Sequence, residues 1–547
     1  MKAQHHQWPA VVAFAGWLAT LCALTMSSMA GAANTSTADH SKFKELQQPF
    51  ATGPDVTKAC LSCHTEAAKQ VHKTKHWTWE FLNPENNQRL GKKNVMNNFC
   101  ISISQNYAFC TSCHAGYGWK DKNFDFSSEN NVDCLVCHDT TGNYNKPPGL
   151  AGHPVYKEME LPVGSGKIVK PVDLSKVAQK VGKSSRDNCG ACHFKGGGGD
   201  GVKHGDMDSS LAAPDKELDV HMDASGLDFT CGTCHRTSSH SVPGSRYTPT
   251  AKDKGGAHMR GKPTEGNPAT CQACHGNQPH PVNLTKLENH GNKLNAHTNK
   301  IACQTCHIPS LARGGIATKM SWDWSTAGKL GPDGKPMTKK DDHGHVIYDS
   351  RKGDFVMGEN VTPEYFWFNG KIKYTLLGDK VDKSKGVTPI NRIEGSPTDG
   401  KSMIWPMKVM RGKQPFDPVN QTLVMPHTAG NDKIGYWKNF NWENAIADGM
   451  QNMGAPFSGK VDFIQTEMFW PSTHMVAPKE KALSCVACHD AKTGGRLKNV
   501  KGIYMPGRGD NNPLLDMAGW GIAGFAFLGV VVHGAGRIYS NRKGEKK

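Results

Sequence analysis

Residues 189–206 read CGACHFKGGGGDGVKHGD. The stretch opens on Cys189, Cys192 and His193, runs through four glycines, Gly196 to Gly199, and ends near two nitrogen donors, Lys203 and His204. Two thiols one helical turn apart, with an imidazole directly after the second, have the spacing that attaches a c-type haem. The sulfurs form thioethers to the porphyrin vinyl groups and the histidine takes the iron. The pattern occurs eight times, two cysteines each, and so uses 16 of the 18 cysteines. The other copies are Cys60/Cys63/His64, Cys110/Cys113/His114, Cys134/Cys137/His138, Cys231/Cys234/His235, Cys271/Cys274/His275, Cys303/Cys306/His307 and Cys485/Cys488/His489. One such motif alone would fit a zinc half-site; eight, each with His after the second Cys, point to eight covalent c-type haems.

Composition agrees. Only 37% of the 547 residues are hydrophobic, while glycine and proline supply 59 and 31. A protein-only core of this size needs more aliphatic side chains, so apolar porphyrin faces are expected to form much of it, with order depending on haem. The formal charge of +16 suits the carboxylates that eight haems bring, about two each. The basic residues are scattered without an aromatic-interleaved stripe, which argues against a nucleic-acid partner.

Residues 1–32 have the form of a signal peptide: Lys2, an apolar run from about Val11 to Thr25, then small residues from Ala30 to Ala33. Cys22, His5 and His6 are expected to leave with it. At the other end, residues 511–547 contain an apolar run from Met517 to Gly536 whose only ionisable residue is His533. That is enough for one spanning helix. Arg537, Arg542, Lys543, Lys546 and Lys547 follow it and place the tail in the cytoplasm. The exported part is then expected on the periplasmic face of a bacterial inner membrane, with His533 a polar residue reaching toward the interface.

Seven motifs crowd residues 33–310, too close for independent domains, so the haems must be near neighbours. Residues 311–510 carry only the eighth and read as helix and loop. There, residues 331–346 look like an exposed polar loop, and residues 436–454 a helix with Trp437, Phe440 and Trp442 in its core. Period-2 alternation is scarce. The expected class is a multihaem cytochrome c, mainly α with extensive loops, little β, a haem-built core and a single C-terminal transmembrane helix.

Catalysis needs one iron with a displaceable distal donor. Of 26 histidines, eight close motifs and His5, His6 and His533 fall in the end segments, leaving 15 for the distal places. His76, His204, His221, His240, His258, His280, His297 and His474 are the chosen candidates. Cys100, in NNFCIS (97–102), is the only cysteine of the mature chain outside a motif, and it precedes the second motif by ten residues. Asn97 stands three residues before it. Lys203 would, on its own, read as a surface charge beside a flexible loop.

NNFCIS, CTSCHAGYGW (110–119), DCLVCHDTTG (133–142), CGACHFKGGGGDGVKHGD, CQTCHIP (303–309) and STHMVAPKEKALSCVACHD (472–490) together resemble the octahaem tetrathionate reductase family. That family is related to pentahaem nitrite reductases and octahaem hydroxylamine oxidoreductases, and the resemblance spans roughly residues 36–510 with all eight motifs. It implies that the second haem is the substrate site, with lysine as distal ligand, a cysteine and an asparagine beside it, and histidine on both faces of the other haems. It places Asn97 and Cys100 at the pocket and aligns the lysine with Lys203; Lys146, Lys183 and Lys195 are the competitors. The glycine run would let backbone approach a porphyrin face, with Lys203 capping the second haem and His204 ligating another. A lysine bound to iron must be neutral.

The implied activity is reduction of a small inorganic oxyanion: tetrathionate, or nitrite and hydroxylamine. Electrons would come from a quinol-linked membrane cytochrome or another periplasmic donor, and homo-oligomers are compatible with this. The rivals are a non-catalytic conduit with every haem bis-histidine, and hydroxylamine oxidation, for which no cross-linking tyrosine is assignable.

Overall fold

The computed structural model describes residues 36–253, 269–282, 290–430, 432–490, 492–503, 505 and 513–544. Residues 1–32, expected as a leader, with Cys22, His5 and His6, and also His258, lie outside the described residues. Helix, at 28% of residues, outweighs strand, at 17%, and irregular chain outweighs both, which is the expected class.

Most motifs are a single helical turn, such as Leu135–His138, Cys231–Cys234 and Cys485–Cys488. One turn is what thiols three residues apart need to face the same way. Two motif-bearing helices are longer, α1 (Gly53–Leu61) and α2 (Arg186–His193), and each starts from a capping box. Thr52 accepts from Asp55 N and Asp55 accepts from Thr52 N; Ser185 and Asn188 repeat the arrangement. Reciprocal caps satisfy backbone donors that a short helix would otherwise leave bare.

The segment expected to be helix and loop, 311–510, instead builds a nine-stranded sheet. Its strands are β1 (Thr318–Asp323), β2 (Thr338–Lys340), β3 (Val346–Asp349), β4 (Gly353–Gly358), β5 (Glu364–Phe368), β6 (Thr388–Pro389), β7 (Met403–Asp417), β8 (Thr422–Leu423) and β9 (Asp462–Pro471). The order is β6-β9-β7-β1-β4-β3-β2, with β5 and β8 also pairing with β7. The polar loop expected at 331–346 includes β2 and the turn joining it to β3. Strand β7 hid from the sequence reading because it is buried on both faces: SMIWPMKVM (402–410) is a continuous apolar run broken only by Lys408, not an alternation. Strand β9 does alternate, burying Ile464, Thr466, Met468 and Trp470.

This sheet owns the largest apolar cluster, so much of the core is protein rather than haem. Trp322, Trp324, Phe355, Met407, Met410, Met468 and Trp470 pack there with Met96, Phe99, Ile101 and Val202 from the haem-dense half. The helix expected over 436–454 is two pieces, Tyr436–Asn439 and α3 (Trp442–Asn452), broken at Phe440 with φ 53°. Trp442 stacks on Tyr436 at 3.8 Å. Finally, α4 (Pro513–Gly544) contains a span, Pro513–Asn541, long and apolar enough to cross a membrane, with mean hydropathy 1.8 and no burial inside the protein.

The sheet meets the segment bearing Cys100 at Gly412, where a Cβ would lie 3.0 Å from Asn98 Cβ and 2.9 Å from Thr466 Oγ1. Asn98 Nδ2 also donates to Met410 O at 2.6 Å. Gly412→Val is expected to destabilise the protein by about 1–3 kcal/mol through overpacking, read as a lower thermal midpoint. An unchanged midpoint would show that the segment does not rest on β7.

Candidate functional site

Two imidazoles on opposite faces of one iron have ring centroids about 6.3 Å apart, since each metal–nitrogen bond is about 2 Å and the nitrogen sits about 1.1 Å from its ring centre. Seven motif histidines face a second imidazole at that spacing. The pairs are His64–His40 at 6.3 Å, His193–His76 at 6.2 Å, His138–His240 at 6.4 Å and His235–His474 at 6.4 Å. His275–His221 at 6.0 Å, His307–His280 at 6.4 Å and His489–His297 at 6.2 Å complete the set. The donor sets therefore fit covalent haem held from both faces.

Six of the eight chosen distal candidates fall in these pairs. His204 does not: its ring packs edge-on against Trp470 at 5.0 Å, its Nδ1 lies 3.9 Å from Asp206, and the neighbouring motif histidines already face other imidazoles. His40 was missed; it stands just past the leader, and nothing local in the sequence singles it out.

Motif thiols from different parts of the chain also meet. Cys60 contacts Cys134, Cys113 contacts Cys192, Cys189 contacts Cys231, and Cys271 contacts Cys303. Cys234 lies near Cys274, and Cys306 near Cys488. Cys137 also lies near Cys189, which joins the first and third motifs to the rest, so all eight motifs form one connected, branched set.

Val56 and Cys60 lie on the stripe by which α1 packs into the core, whereas Cys63 falls beyond Leu61, the last residue of that helix, and its sulfur accepts a hydrogen bond from Ser62 Oγ at 3.8 Å.

His114, of the second motif, is the exception: among the described residues no histidine faces it at that spacing. It is buried among aromatic rings, with Trp119 at 4.8 Å, Trp77 at 5.0 Å and Trp79 at 5.4 Å. Its Nε2 donates to Trp77 O at 2.7 Å, while Nδ1 is buried without a partner.

The glycine run explains how Lys203 and Cys100 come together. Gly197 and Gly198 have φ of 88° and 95°, in the left-handed region that favours glycine. A Cβ on Gly197 would lie 3.1 Å from Phe99 and 3.3 Å from Lys203 Cβ, and one on Gly198 3.3 Å from Cys100 Sγ. Cys100 Sγ donates to Gly197 O at 3.3 Å, and Asn97 Oδ1 accepts from Cys100 N at 2.8 Å and Phe99 N at 3.1 Å. The glycines make room for protein as closely as they could for porphyrin. Lys203 Nζ lies 5.3 Å from the Trp470 ring.

The competitor lysines are placed otherwise. Lys183 and Lys195 are exposed. Lys146 pairs with Asp133 at 2.8 Å and donates to His114 O at 2.6 Å.

Burial sets the electrostatics. It holds the Lys203 amine well below the ordinary lysine value, and the charges of Arg246 and Lys92 push the same way. Burial raises the Cys100 thiol, against the opposing pull of Lys352 and Lys319. Lys319, over Phe355 at 3.2 Å, is itself brought down to about 6 by burial. Arg246 is sandwiched between Tyr247 at 4.6 Å and Trp470 at 4.8 Å, with Nη1 buried and unpartnered. It is a cation the sequence reading passed over, available to an anion.

Comparison with known proteins agrees with this arrangement. A family model described as bacterial cytochrome c matches residues 319–492, and one described as outer membrane cytochrome MtrC/MtrF-like, domains II/IV, matches residues 108–281. No curated protein matches. The crystal structure of octahaem cytochrome c from Shewanella oneidensis superposes with a TM-score of 0.72 at 42% identity, covering 85% of this chain and 97% of that one.

The raised Cys100 value generates a prediction. With the motif sulfurs bound as thioethers, Cys100 is the one free thiol among the described residues. Iodoacetamide should label it slowly at pH 7 and faster as the pH passes 9, since the thiolate is the nucleophile. A rate that levels off below pH 8 would contradict the burial argument.

Proposed function

This chain belongs to the octahaem c-type cytochromes, and from that premise we propose a reductase in which the second of eight haems is catalytic and the other seven carry electrons. The observation that carries this reading is the asymmetry of the axial donors. Seven motif histidines lie opposite an imidazole, whereas His114 faces none among the described residues. Its motif partners Cys110 and Cys113 lie near a half-buried thiol, Cys100, and a half-buried lysine, Lys203, with Asn97 bonded to the Cys100 backbone.

Haem, when bound, would supply the electrons and, at the second motif, a place at iron for an anion. His114, whose Nε2 donates to Trp77 O, would be the motif residue that holds that iron. Lys203 suits the requirement for an amine donor, because burial disfavours its charged form. It is more readily displaced than an imidazole, which suits admission of substrate. Asn97 fixes the Cys100 backbone, and Arg246 Nη1 offers an unused donor to an oxyanion.

The substrate class is a small inorganic sulfur or nitrogen oxyanion, or its reduced relative hydroxylamine. Tetrathionate would take up two electrons, break its central sulfur–sulfur bond and leave as two thiosulfates. Cys100 is placed to act in that cleavage, whereas nitrite and hydroxylamine need only the position Lys203 gives up. The connected set of motifs supports a wire. The eighth motif lies shortly before α4, so electrons would arrive there from a quinol-linked membrane cytochrome or another periplasmic donor, with α4 tethering the protein to the periplasmic face of the inner membrane and its basic tail in the cytoplasm.

The test is viologen-driven turnover of the purified protein with tetrathionate, nitrite and hydroxylamine. The wild type should reduce at least one. Cys100→Ala should lower tetrathionate reduction by about 10²–10⁴-fold, the scale of losing a reacting side chain, and spare most nitrite reduction. No turnover with any of the three, and no spectral change on adding nitrite, would leave an electron conduit.

A further inference from the structure

The buried lysine of strand β7 holds the loop that carries Lys203. Lys408 is 1% exposed, within the apolar first half of strand β7, residues 403–410. Its Nζ donates to Val202 O at 2.9 Å, Lys203 O at 3.2 Å and Thr318 Oγ1 at 2.6 Å. Thr318, fully buried on β1, passes the interaction on: its hydroxyl lies 2.6 Å from Gly201 O and 3.0 Å from His204 O. Two side chains from adjacent strands thereby fix four consecutive carbonyls, 201 to 204.

The side-chain half of the arrangement comes from the same strands. Lys408 is the cross-strand partner of Trp470 on β9, so the two project on one face of the sheet. Lys408 grips the Lys203 backbone while the Trp470 ring lies 5.3 Å from Lys203 Nζ and 5.0 Å from the His204 ring. Packing alone would favour an apolar residue at position 408, since a buried cationic side chain is costly unless every donor is met. Here three acceptors meet three donors. The chain they hold follows four glycines, two with positive φ, which has little stiffness of its own.

We propose that Lys408 and Thr318 are positioning residues that set Lys203 over the second haem, making the sheet the part that fixes how tightly the distal lysine is held. The inference rests on the reading of the second haem given above. Loosening the grip frees the amine to leave, so external ligands should compete with it more successfully.

The test is cyanide titration of the oxidised, fully haem-loaded protein, followed by absorption and by magnetic resonance of the bis-histidine centres. In Thr318→Val, which keeps the shape and removes the hydroxyl, cyanide should bind roughly tenfold more tightly, the scale of one lost hydrogen bond to a charged partner. Lys408→Met should shift affinity at least as far, Thr318→Ser should restore the wild-type value, and the seven bis-histidine signals should stay unchanged throughout. If Lys408→Met fails to assemble, the Thr318 pair decides. Affinity within twofold of wild type in Thr318→Val, when Lys203→Ala does change it, would overturn the positioning role alone. A wild type that takes up no cyanide would overturn the reading of the second haem, and this inference with it.

Discussion

Iron in a porphyrin accepts one donor on each face, and that axial limit organises this molecule. An imidazole pair about 6 Å apart both locks a haem in place and closes it to substrate. Seven such pairs tie the chain across itself: His40 reaches His64, His76 reaches His193, and His474 returns from far along the sequence to His235. With so few residues between motifs, these cross-links give the irregular half of the protein its shape. The same limit makes any motif without an imidazole partner chemically distinct.

What sits around that motif is decided by the sheet. Its apolar cluster takes in Met96, Phe99 and Ile101 on one side of Cys100, and Val202 on the other flank of the pocket. The glycine-rich loop before Lys203 has little stiffness of its own; against β7 and β9 its backbone is held by Lys408 and its lysine lies near the Trp470 ring. The haem-dense half supplies electrons and the sheet supplies geometry. This division explains why a chain with so many covalent cofactors still spends a large hydrophobic core on strands that touch few of the motifs.

Legibility in the sequence followed the range of the interactions. The motif cysteines and histidines are local and legible directly from their spacing. Asn97, Cys100 and Lys203 came through resemblance to a family. The distal histidines are long-range partners, so the sequence offered only a pool. Six of the candidates stand opposite a motif histidine, His40 holds the seventh such place, and His204, adjacent to Lys203, instead has an Asp206 and Trp470 contact. The sheet was missed for a different reason. A strand covered on both faces loses its alternation, and Lys408 looked like noise in an apolar run instead of a buried hydrogen-bond donor.

The most direct measurement is near-infrared magnetic circular dichroism of the fully oxidised protein, where ferric haems with two imidazoles and those with an imidazole and an amine absorb at different energies. The account predicts seven equivalents of the first kind and one centre that differs. Eight bis-imidazole centres would contradict it.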